Sequence, residues 1–353
     1  MAGDISDLNS GECNVKKQSA QILNWTPSGK SVLWLLLSSI LVVGSSVHAQ
    51  LVNSVQNPLQ IAVLHWYPAN LTTHFQLQLS EICAVTSDGP NIWVAGCVEN
   101  SQVNKVRASD GTVLGTFSVG RNPFALVFDG ANIWSANSMD STVTKLRASD
   151  GARLGTFATG VGPESLAFDG SNIWVANATS NNVTRLRASD GACINPCTFS
   201  VGFSPIGVAF DGANIWVANL GDGTVTRLRA SDGACVGVCT FNAGDQPHRV
   251  VFDGFNIWVA DINASVTKLR ASDGACVGIC NFPVGNVPED LTYDGANIWV
   301  ANGGDSTVTR LRASDGACVG VCTFSVGQGP RGIAFDGINI WVANGLDGTL
   351  SKL

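Results

Sequence analysis

The sequence predicts an all-β fold, a seven-bladed β-propeller built from four-stranded antiparallel blades. Three observations carry this prediction. N-I-W occurs seven times, at tryptophans spaced 40 to 42 residues apart, and such a period is typical of repeat architectures. Each copy contains short runs of strand length, and Asp-Gly pairs typical of tight hairpin turns separate those runs. The seven tryptophans are Trp93, Trp134, Trp174, Trp216, Trp258, Trp299 and Trp341.

One repeat unit supplies four strands in a fixed order. Strand A follows a loop proline, as at 124–128 and 206–210; strand B contains N-I-W, strand C contains T-V-T-R-L-R, and strand D contains T-F-S-V. The chain reaches only strand C of its seventh unit, whereas residues 73–77 precede the first strand A. We therefore expect the segment 73–77 to be the outer strand of the last blade, so that the ring has no open edge.

Two residues that recur in every full unit are expected to be structural. The strand-B tryptophans should pack between neighbouring blades, because both faces of a propeller blade are covered. The arginine of R-A-S-D-G precedes an aspartate by three residues, and we expect it to be an exposed or aspartate-paired turn residue. These arginines are Arg107, Arg147, Arg187, Arg229, Arg270 and Arg312.

The N-terminal region predicts export. Residues 31–43 form an apolar run after three lysines, and Val47 and Ala49 suit cleavage before Gln50. The alternative is an uncleaved anchor helix, although the run is shorter than the ~20 apolar residues that span a bilayer. We expect a signal peptide at 1–49, an N-terminal extension at 50–72 and the propeller at 73–353. The mature chain would have no membrane span and would be secreted, periplasmic or on the cell surface.

Ten cysteines follow the predicted signal peptide. An even number of cysteines in an exported chain favours disulfides. Zinc would need four ligands at one place, but the C-x-x-x-C pairs lie one repeat apart and have no histidine beside them. The expected local pairs are Cys83–Cys97, Cys193–Cys197, Cys235–Cys239, Cys276–Cys280 and Cys318–Cys322.

The composition limits the possible partners. Only 13% of the residues are charged and 45% are hydrophobic, so the chain can bury a large core and is not a disordered protein. The net charge of −7 argues against nucleic-acid binding. We expect a monomer without a cofactor or a metal. Asp140, Asp222, Asp305 and Asp347 recur six residues after a tryptophan, and we expect them to cap loops rather than to bind calcium.

The repeats are nearly identical on one face of the predicted ring and variable on the other. The D-to-A and B-to-C connections share the variable face, where binding is expected, although loops also vary simply because they tolerate change. The residue after each loop proline should line the mouth of the central channel, with Cys83 or Glu81 in the first unit. Together with their strand neighbours, the ligand-binding candidates are Phe124, Glu164, Ile206, His248, Arg249, Glu289, Asp290 and Arg331.

The units F-D-G-A-N-I-W-V-A-N, T-V-T-K-L-R-A-S-D-G and T-F-x-V-G-x-x-P resemble the YVTN-type bacterial β-propeller repeats over residues 75–353. Those repeats are related to NHL and streptogramin-lyase-like propellers. The resemblance implies an exported or surface-associated protein, and most such proteins have no established reaction. Streptogramin lyases open a cyclic peptide lactone by elimination, using histidines, a glutamate and magnesium on one face of the ring.

Two functions follow as hypotheses. The first is an exported, non-enzymatic binding scaffold whose variable loop face contacts a protein, a glycan or another component of the cell envelope. The alternative is a streptogramin-lyase-like enzyme acting on a small cyclic ester at the channel mouth. His248 would then be the base, and Glu289 or a bound magnesium ion would stabilise the developing charge. Because His248 is the only histidine after the first strand A, the second histidine of the lyase pattern is absent.

Overall fold

The computed structural model describes residues 73–353, apart from 99–100, 236, 277, 319 and the side chain of Ile194. These residues form seven four-stranded antiparallel sheets, one for each sequence repeat, which confirms the predicted seven-bladed propeller. In this part of the chain no helix is long and apolar enough to cross a membrane. The predicted signal peptide at 1–49 and extension at 50–72 lie outside the described residues.

Strands A to D follow one another from the channel outward in every blade. The A strands are β2 (Ile82–Ser87), β6 (Pro123–Phe128), β10 (Pro163–Phe168), β14 (Pro205–Phe210), β18 (Pro247–Phe252), β22 (Pro288–Tyr293) and β26 (Pro330–Phe335). The B strands are β3 (Asn91–Gly96), β7 (Asn132–Asn137), β11 (Asn172–Asn177), β15 (Asn214–Asn219), β19 (Asn256–Asp261), β23 (Asn297–Asn302) and β27 (Ile340–Asn344).

The outer two strands complete each blade. The C strands are β4 (Gln102–Arg107), β8 (Thr142–Arg147), β12 (Asn182–Arg187), β16 (Thr224–Arg229), β20 (Ser265–Arg270), β24 (Thr307–Arg312) and β28 (Thr349–Lys352). The D strands are β5 (Val113–Ser118), β9 (Arg153–Ala158), β13 (Cys193–Ser200), β17 (Thr240–Asn242), β21 (Asn281–Pro283), β25 (Thr323–Ser325) and, in blade 7, β1 (His74–Gln76).

The first strand of the chain closes the ring. β1 pairs antiparallel with β28, with His74 opposite Ser351. The ring of Phe75 lies 5.5 Å from that of Trp341, the same contact that a D-strand phenylalanine makes with the tryptophan of each other blade. The expected outer strand at 73–77 is therefore confirmed as a three-residue strand.

Each strand-B tryptophan is fixed by the Asp-Gly turn that precedes it. In blade 3, Trp174 is fully buried, and its Nε1 donates to Asp169 Oδ2 at 2.7 Å. The other oxygen of Asp169 accepts the backbone N–H of Asn172 at 2.6 Å. The indole packs in one cluster with Ile215 and Val217 of the next blade. The predicted packing between blades is confirmed, and all seven blades repeat the bond from tryptophan to aspartate.

A cation on each C strand fastens one blade to the next. The ammonium group of Lys145 lies 5.1 Å from the centre of the Trp134 ring, and it donates to the carbonyls of Ala188 at 2.6 Å and Ser189 at 3.1 Å in the next blade. The sequence analysis did not single out these residues. The equivalent residues are Lys105, Arg185, Arg227, Lys268, Arg310 and Lys352, each over its own tryptophan.

The R-A-S-D-G turns behave as expected. In all six, the arginine forms an ion pair with the aspartate three residues on, and both side chains stay partly exposed. Ion pairs of this exposure add little to stability, because solvent screens them. The predicted interpretation as aspartate-paired turn residues is confirmed.

The structure contains five disulfides, joining the cysteines that the sequence pairs. In blades 4 to 6 a disulfide-closed loop precedes strand D, which is three residues long, whereas the D strands of blades 1 and 2 have six. In blade 3 the equivalent cysteines lie within the eight-residue β13. The expected strand D is present in every blade.

Candidate functional site

A β-bulge at the start of every A strand shapes the channel mouth. In blade 3, Pro163 pairs with Asn177 and Ser165 pairs with Ala176, so Glu164 occupies the bulge. A bulge brings two successive side chains toward one side of a strand. The residues after the prolines all occupy this position: Phe124, Glu164, Ile206, His248, Glu289 and Arg331.

The first blade differs because it has no loop proline. Ile82 takes the place of the proline and pairs with Gly96, so Cys83 occupies the bulge and Glu81 precedes the strand. Of the two residues that the sequence offered for this position, Cys83 is therefore the equivalent one. Glu81 still reaches the mouth, where its Oε2 lies 3.1 Å from Arg331 Nη1.

The channel contains a cavity of about 170 Å³. A strands of all seven blades line it, including both bulge residues of blade 2, Phe124 and Ala125. Its charged lining comes from Arg249, Asp290 and Arg331. A cavity of this size accommodates water molecules or a very small ligand.

Arg249 is the centre of the charged groups. It belongs to blade 5, yet its guanidinium lies 5.8 Å from the ring of Phe124 in blade 2 and donates to the carbonyl of Ile206 in blade 4. Arg249 therefore reaches across the channel. Its positive charge also lowers the pKa of the Glu164 and Glu289 carboxyl groups.

The mouth acids are held in an environment that disfavours their ionised form. Burial raises the pKa of Glu164 above its ordinary value, against the lowering effect of Arg249 and of a hydrogen bond from Ser138 at 3.2 Å. Burial likewise raises the pKa of Glu289, with Arg249 and Arg331 opposing it. Desolvation of a carboxylate is thus only partly offset by the neighbouring guanidinium groups.

Asp290 connects blades 6 and 7 below the mouth. Its Oδ2 accepts the backbone N–H of Ile333 at 3.0 Å, and its Oδ1 accepts that of Leu291 at 2.9 Å. Burial raises the pKa of Asp290 to about 6, although Arg249 and both N–H donors lower it. Ser165 has the corresponding role in blade 3, where its Oγ accepts from a strand-A N–H of the next blade at 3.2 Å.

His248 and Glu289 meet across the seam between blades 5 and 6. His248 Nδ1 lies 2.8 Å from the backbone carbonyl of Glu289, and Nε2 lies 3.8 Å from its Oε2. A carbonyl only accepts hydrogen bonds, so Nδ1 is assigned the proton and Nε2 is left without one. Burial, together with the positive charge of Arg249, lowers the pKa of His248 to about 3. The imidazole is therefore neutral at physiological pH and a weak proton acceptor.

The mouth thus divides the sequence-based candidates into two groups. Glu164, Glu289 and Asp290 all interact electrostatically with Arg249. Arg331 instead contacts Glu81 and lies 3.4 Å from the Sγ of Cys83. The sequence suggested one polar rim, and it held no signal that Arg249 would extend to the opposite blade.

The loop aspartates have a structural role. Asp140 accepts the backbone N–H of Arg121 at 2.7 Å, which joins the B-to-C loop to the D-to-A loop of the same blade. Asp222, Asp305 and Asp347 make the same bond in their own blades. These bonds confirm loop capping as the role of the four aspartates.

The loop face is the side of the ring that carries the D-to-A and B-to-C loops. The hairpin face carries the A-to-B and C-to-D turns. Five exposed hydrophobic residues occupy the loop face, one in each of five consecutive blades, and we call them the apolar arc. They are Leu346 of blade 7, Val98 of blade 1, Met139 of blade 2, Val161 of blade 3 and Phe203 of blade 4.

No protein-family model matches this chain, and no curated protein matches it in sequence. Among solved structures, Kuenenia stuttgartiensis hydrazine synthase is similar, with a TM-score of 0.68 and 17% identity over 80% of this chain and 98% of that chain. A streptogramin B lyase structure is similar with a TM-score of 0.65 and 17% identity, over 79% of this chain and 95% of that chain. These likenesses show the fold alone, and they agree with the propeller repeat architecture that the sequence resemblance implies.

The lyase resemblance implies magnesium, and we compared the mouth with that requirement. Among the described residues, no three His, Cys, Asp or Glu side chains come together as a metal-binding group. The carboxyl groups of Glu164, Glu289 and Asp290 instead all interact electrostatically with the guanidinium of Arg249. Magnesium requires near-octahedral oxygen ligands, so these side chains do not fit it as they stand.

Proposed function

We propose that this chain is an exported, non-enzymatic binding module that contacts its partner through the loop face. The observation that carries the proposal is the difference between the two faces. On the hairpin face the same aspartate, asparagine and tryptophan contacts recur in every blade. On the loop face the loops differ in sequence from blade to blade, and the apolar arc is solvent-exposed over five consecutive blades. The hairpin face also exposes large hydrophobic side chains, among them Phe255 and Ile338, so the variation of the loops is what distinguishes the loop face as the interaction site.

Two further observations support export. Five disulfides are typical of oxidising compartments, because cytosolic thiols are kept reduced. The predicted signal peptide at 1–49 would direct the chain to such a compartment. A secreted, periplasmic or cell-surface location follows, and the partner would be a protein or a glycan of the cell envelope.

The alternative function is a lyase acting on a small cyclic ester, with His248 as the base. The structural likeness to a streptogramin B lyase and the contact between His248 and Glu289 favour it. The lowered pKa of His248 opposes it, since an imidazole with a pKa of about 3 accepts a proton weakly at neutral pH. Ring opening of a cyclic depsipeptide lactone, assayed with magnesium present, tests this alternative. Turnover that His248→Ala abolishes would replace the binding proposal with the enzymatic one.

The binding proposal is tested by substituting one exposed phenylalanine on each face. Labelled protein is applied to peptide and glycan arrays, and every hit is measured again with Phe203→Ser of the loop face. The control is Phe255→Ser, an exposed phenylalanine of the hairpin face with 82% exposure against 59% for Phe203. We expect Phe203→Ser to weaken binding about tenfold, as loss of an aromatic contact does, and the control to leave it unchanged. Hits that respond only to Phe255→Ser would move the binding face to the other side of the ring.

A further inference from the structure

Formal charge is balanced on the hairpin side of the ring. Thirteen acids lie there, namely the seven turn aspartates that accept from tryptophans and the six aspartates of R-A-S-D-G. Thirteen bases oppose them, namely the seven C-strand cations that stack on tryptophans and the six R-A-S-D-G arginines. Arg153, on the outer strand of blade 2, adds one positive charge. The hairpin side therefore contributes almost nothing to the net charge of −7.

The loop side contains the remaining charge. Among the described residues it has ten acids and only three bases, which are Arg121, Arg249 and Arg331. The net negative charge of the chain is thus concentrated on the face that bears the apolar arc. The ten acids are Glu81, Asp140, Glu164, Asp222, Asp245, Asp261, Glu289, Asp290, Asp305 and Asp347.

The negative charge of this face is most available in its loops. The mouth acids share Arg249, and their burial disfavours ionisation. Asp222, Asp245 and Asp305 are instead exposed, in the consecutive blades 4, 5 and 6. Backbone and side-chain hydrogen bonds from Asn286 lower the pKa of Asp305, which keeps it ionised over a wide pH range. Around the ring, the exposed aspartates therefore begin in blade 4, where the apolar arc ends, and extend through blades 5 and 6.

We propose that the loop face binds a cationic polypeptide segment that carries both basic and apolar side chains. Its lysine or arginine side chains lie beside Asp222, Asp245 and Asp305, and its apolar side chains cover the arc from Leu346 to Phe203. This inference rests on the proposed function, because it takes the loop face to be the binding face. It names the chemistry of the partner, which the proposed function leaves open.

Charge and geometry favour a polypeptide over other partners. A nucleic acid would be repelled by a face with an excess of acids. The three exposed aspartates belong to three different blades, and no metal-binding group of three such side chains occurs in the described part of the chain. A neutral glycan would leave the aspartates without a charged partner. Opposite charges across an interface also accelerate association, and this effect decreases with salt.

The test uses defined probes rather than an unknown ligand. The first probe is a labelled peptide of alternating lysine and leucine, about fifteen residues long so that it can span several blades. The second replaces every lysine with glutamate. Binding to the full oxidised chain is followed by fluorescence anisotropy at low and at physiological ionic strength. We expect the lysine peptide to bind, to bind less tightly at higher salt, and the glutamate peptide not to bind.

The decisive variant is the triple substitution Asp222→Asn, Asp245→Asn and Asp305→Asn. Asparagine keeps one oxygen that can accept the capping backbone N–H at Asp222 and Asp305, so this variant removes the charge and, at Asp305, the second bond, from Asn286 Nδ2. Losing three partly exposed ion pairs should lower the affinity for the lysine peptide about tenfold.

Its matched control changes the same three blades and the same net charge on the hairpin face. The control is Asp232→Asn, Asp273→Asn and Asp315→Asn, in which three R-A-S-D-G ion pairs are removed. We expect this control to change affinity less than twofold, which is the result that separates a local contact from the effect of net charge.

The outcomes distinguish the inference from the proposed function. Failure of the lysine peptide to bind at low salt, or equal weakening by both triple variants, overturns the cationic partner. Binding of a neutral or anionic array probe that Phe203→Ser abolishes would preserve the loop face as the binding face while refuting the inference. Lysine-peptide binding that no loop-face substitution affects would contradict both.

Discussion

Asp290→Asn is expected to make the protein more stable at neutral pH and less stable in acid. A carboxyl whose pKa is raised in the folded state favours folding while it is protonated. Its contribution decreases as pH rises from the ordinary value of 3.8 through the folded value of about 6, and it is constant above that. A shift of roughly two units corresponds to about 3 kcal/mol in the free energy of unfolding. Asparagine carries no charge, so this loss at neutral pH is avoided.

The substitution also removes one hydrogen-bond acceptor. Asp290 accepts from the backbone N–H groups of Ile333 and Leu291, whereas asparagine has one oxygen for the two donors. That loss costs about 1 kcal/mol at any pH. We therefore expect the variant to be about 1 kcal/mol less stable than wild type near pH 4 and about 2 kcal/mol more stable near pH 7.5.

Urea unfolding followed by tryptophan fluorescence at the two pH values measures the difference. Asp305→Asn is the control with the opposite sign, because the pKa of Asp305 is lowered by its hydrogen bonds and its stabilising effect is present only at higher pH. The reasoning is refuted if the stability of Asp290→Asn relative to wild type is the same at both pH values, or decreases toward neutral pH.

Four more substitutions test the contacts that hold the ring together. Lys145→Met should lower the free energy of unfolding by about 2 kcal/mol, because two carbonyls lose a charged donor, and chemical denaturation measures it. Asp169→Ala should cost about 2 kcal/mol, because the buried N–H of Trp174 loses its acceptor; a midpoint equal to that of wild type would show that water replaces the carboxylate. Phe75→Ala and Phe241→Ala should each cost about 3 to 5 kcal/mol, but only Phe75→Ala should speed hydrogen exchange in blade 7; equal exchange in both variants would mean that the closing seam is not special.

The sequence was sufficient for the architecture because the repeat encodes its own turns. Asp169 both shapes its Asp-Gly turn and accepts from Trp174, so one short motif specifies a hairpin and an inter-blade contact together. The closing strand could be predicted because the last unit lacks a strand D and residues 73–77 resemble one. The short D strands of blades 4 to 6 could not, because the same C-x-x-x-C spacing precedes a three-residue strand in these blades and lies within the eight-residue β13 of blade 3.

The mouth residues could be placed by position but not by contact. Counting one residue after each proline identified Glu164 and His248 as the bulge residues of their A strands, since every A strand begins in the same way, whereas the cavity is lined in these blades by Ser165 and Arg249. The path of Arg249 across the channel depends on how closely neighbouring A strands approach, as at Gly207, where a Cβ would lie 2.6 Å from the backbone oxygen of His248 and 3.0 Å from the Cα of Arg249. The difference in charge between the two faces could have been counted from the sequence once the faces were assigned.

The closure of the ring by β1 and β28 determines the order in which the protein can be completed. His74 and Ser351 are 277 residues apart, so β1 is synthesised long before its partner exists. Until then Phe75 lacks its contact with Trp341, and an incomplete ring has one strand edge without a partner. The entropic cost of joining such distant segments increases only with the logarithm of the chain between them. A single chain can therefore pair its first strand with its last at little additional entropic cost. At high concentration, two incomplete chains could instead exchange their first strands, so dilution during refolding should favour the monomeric ring.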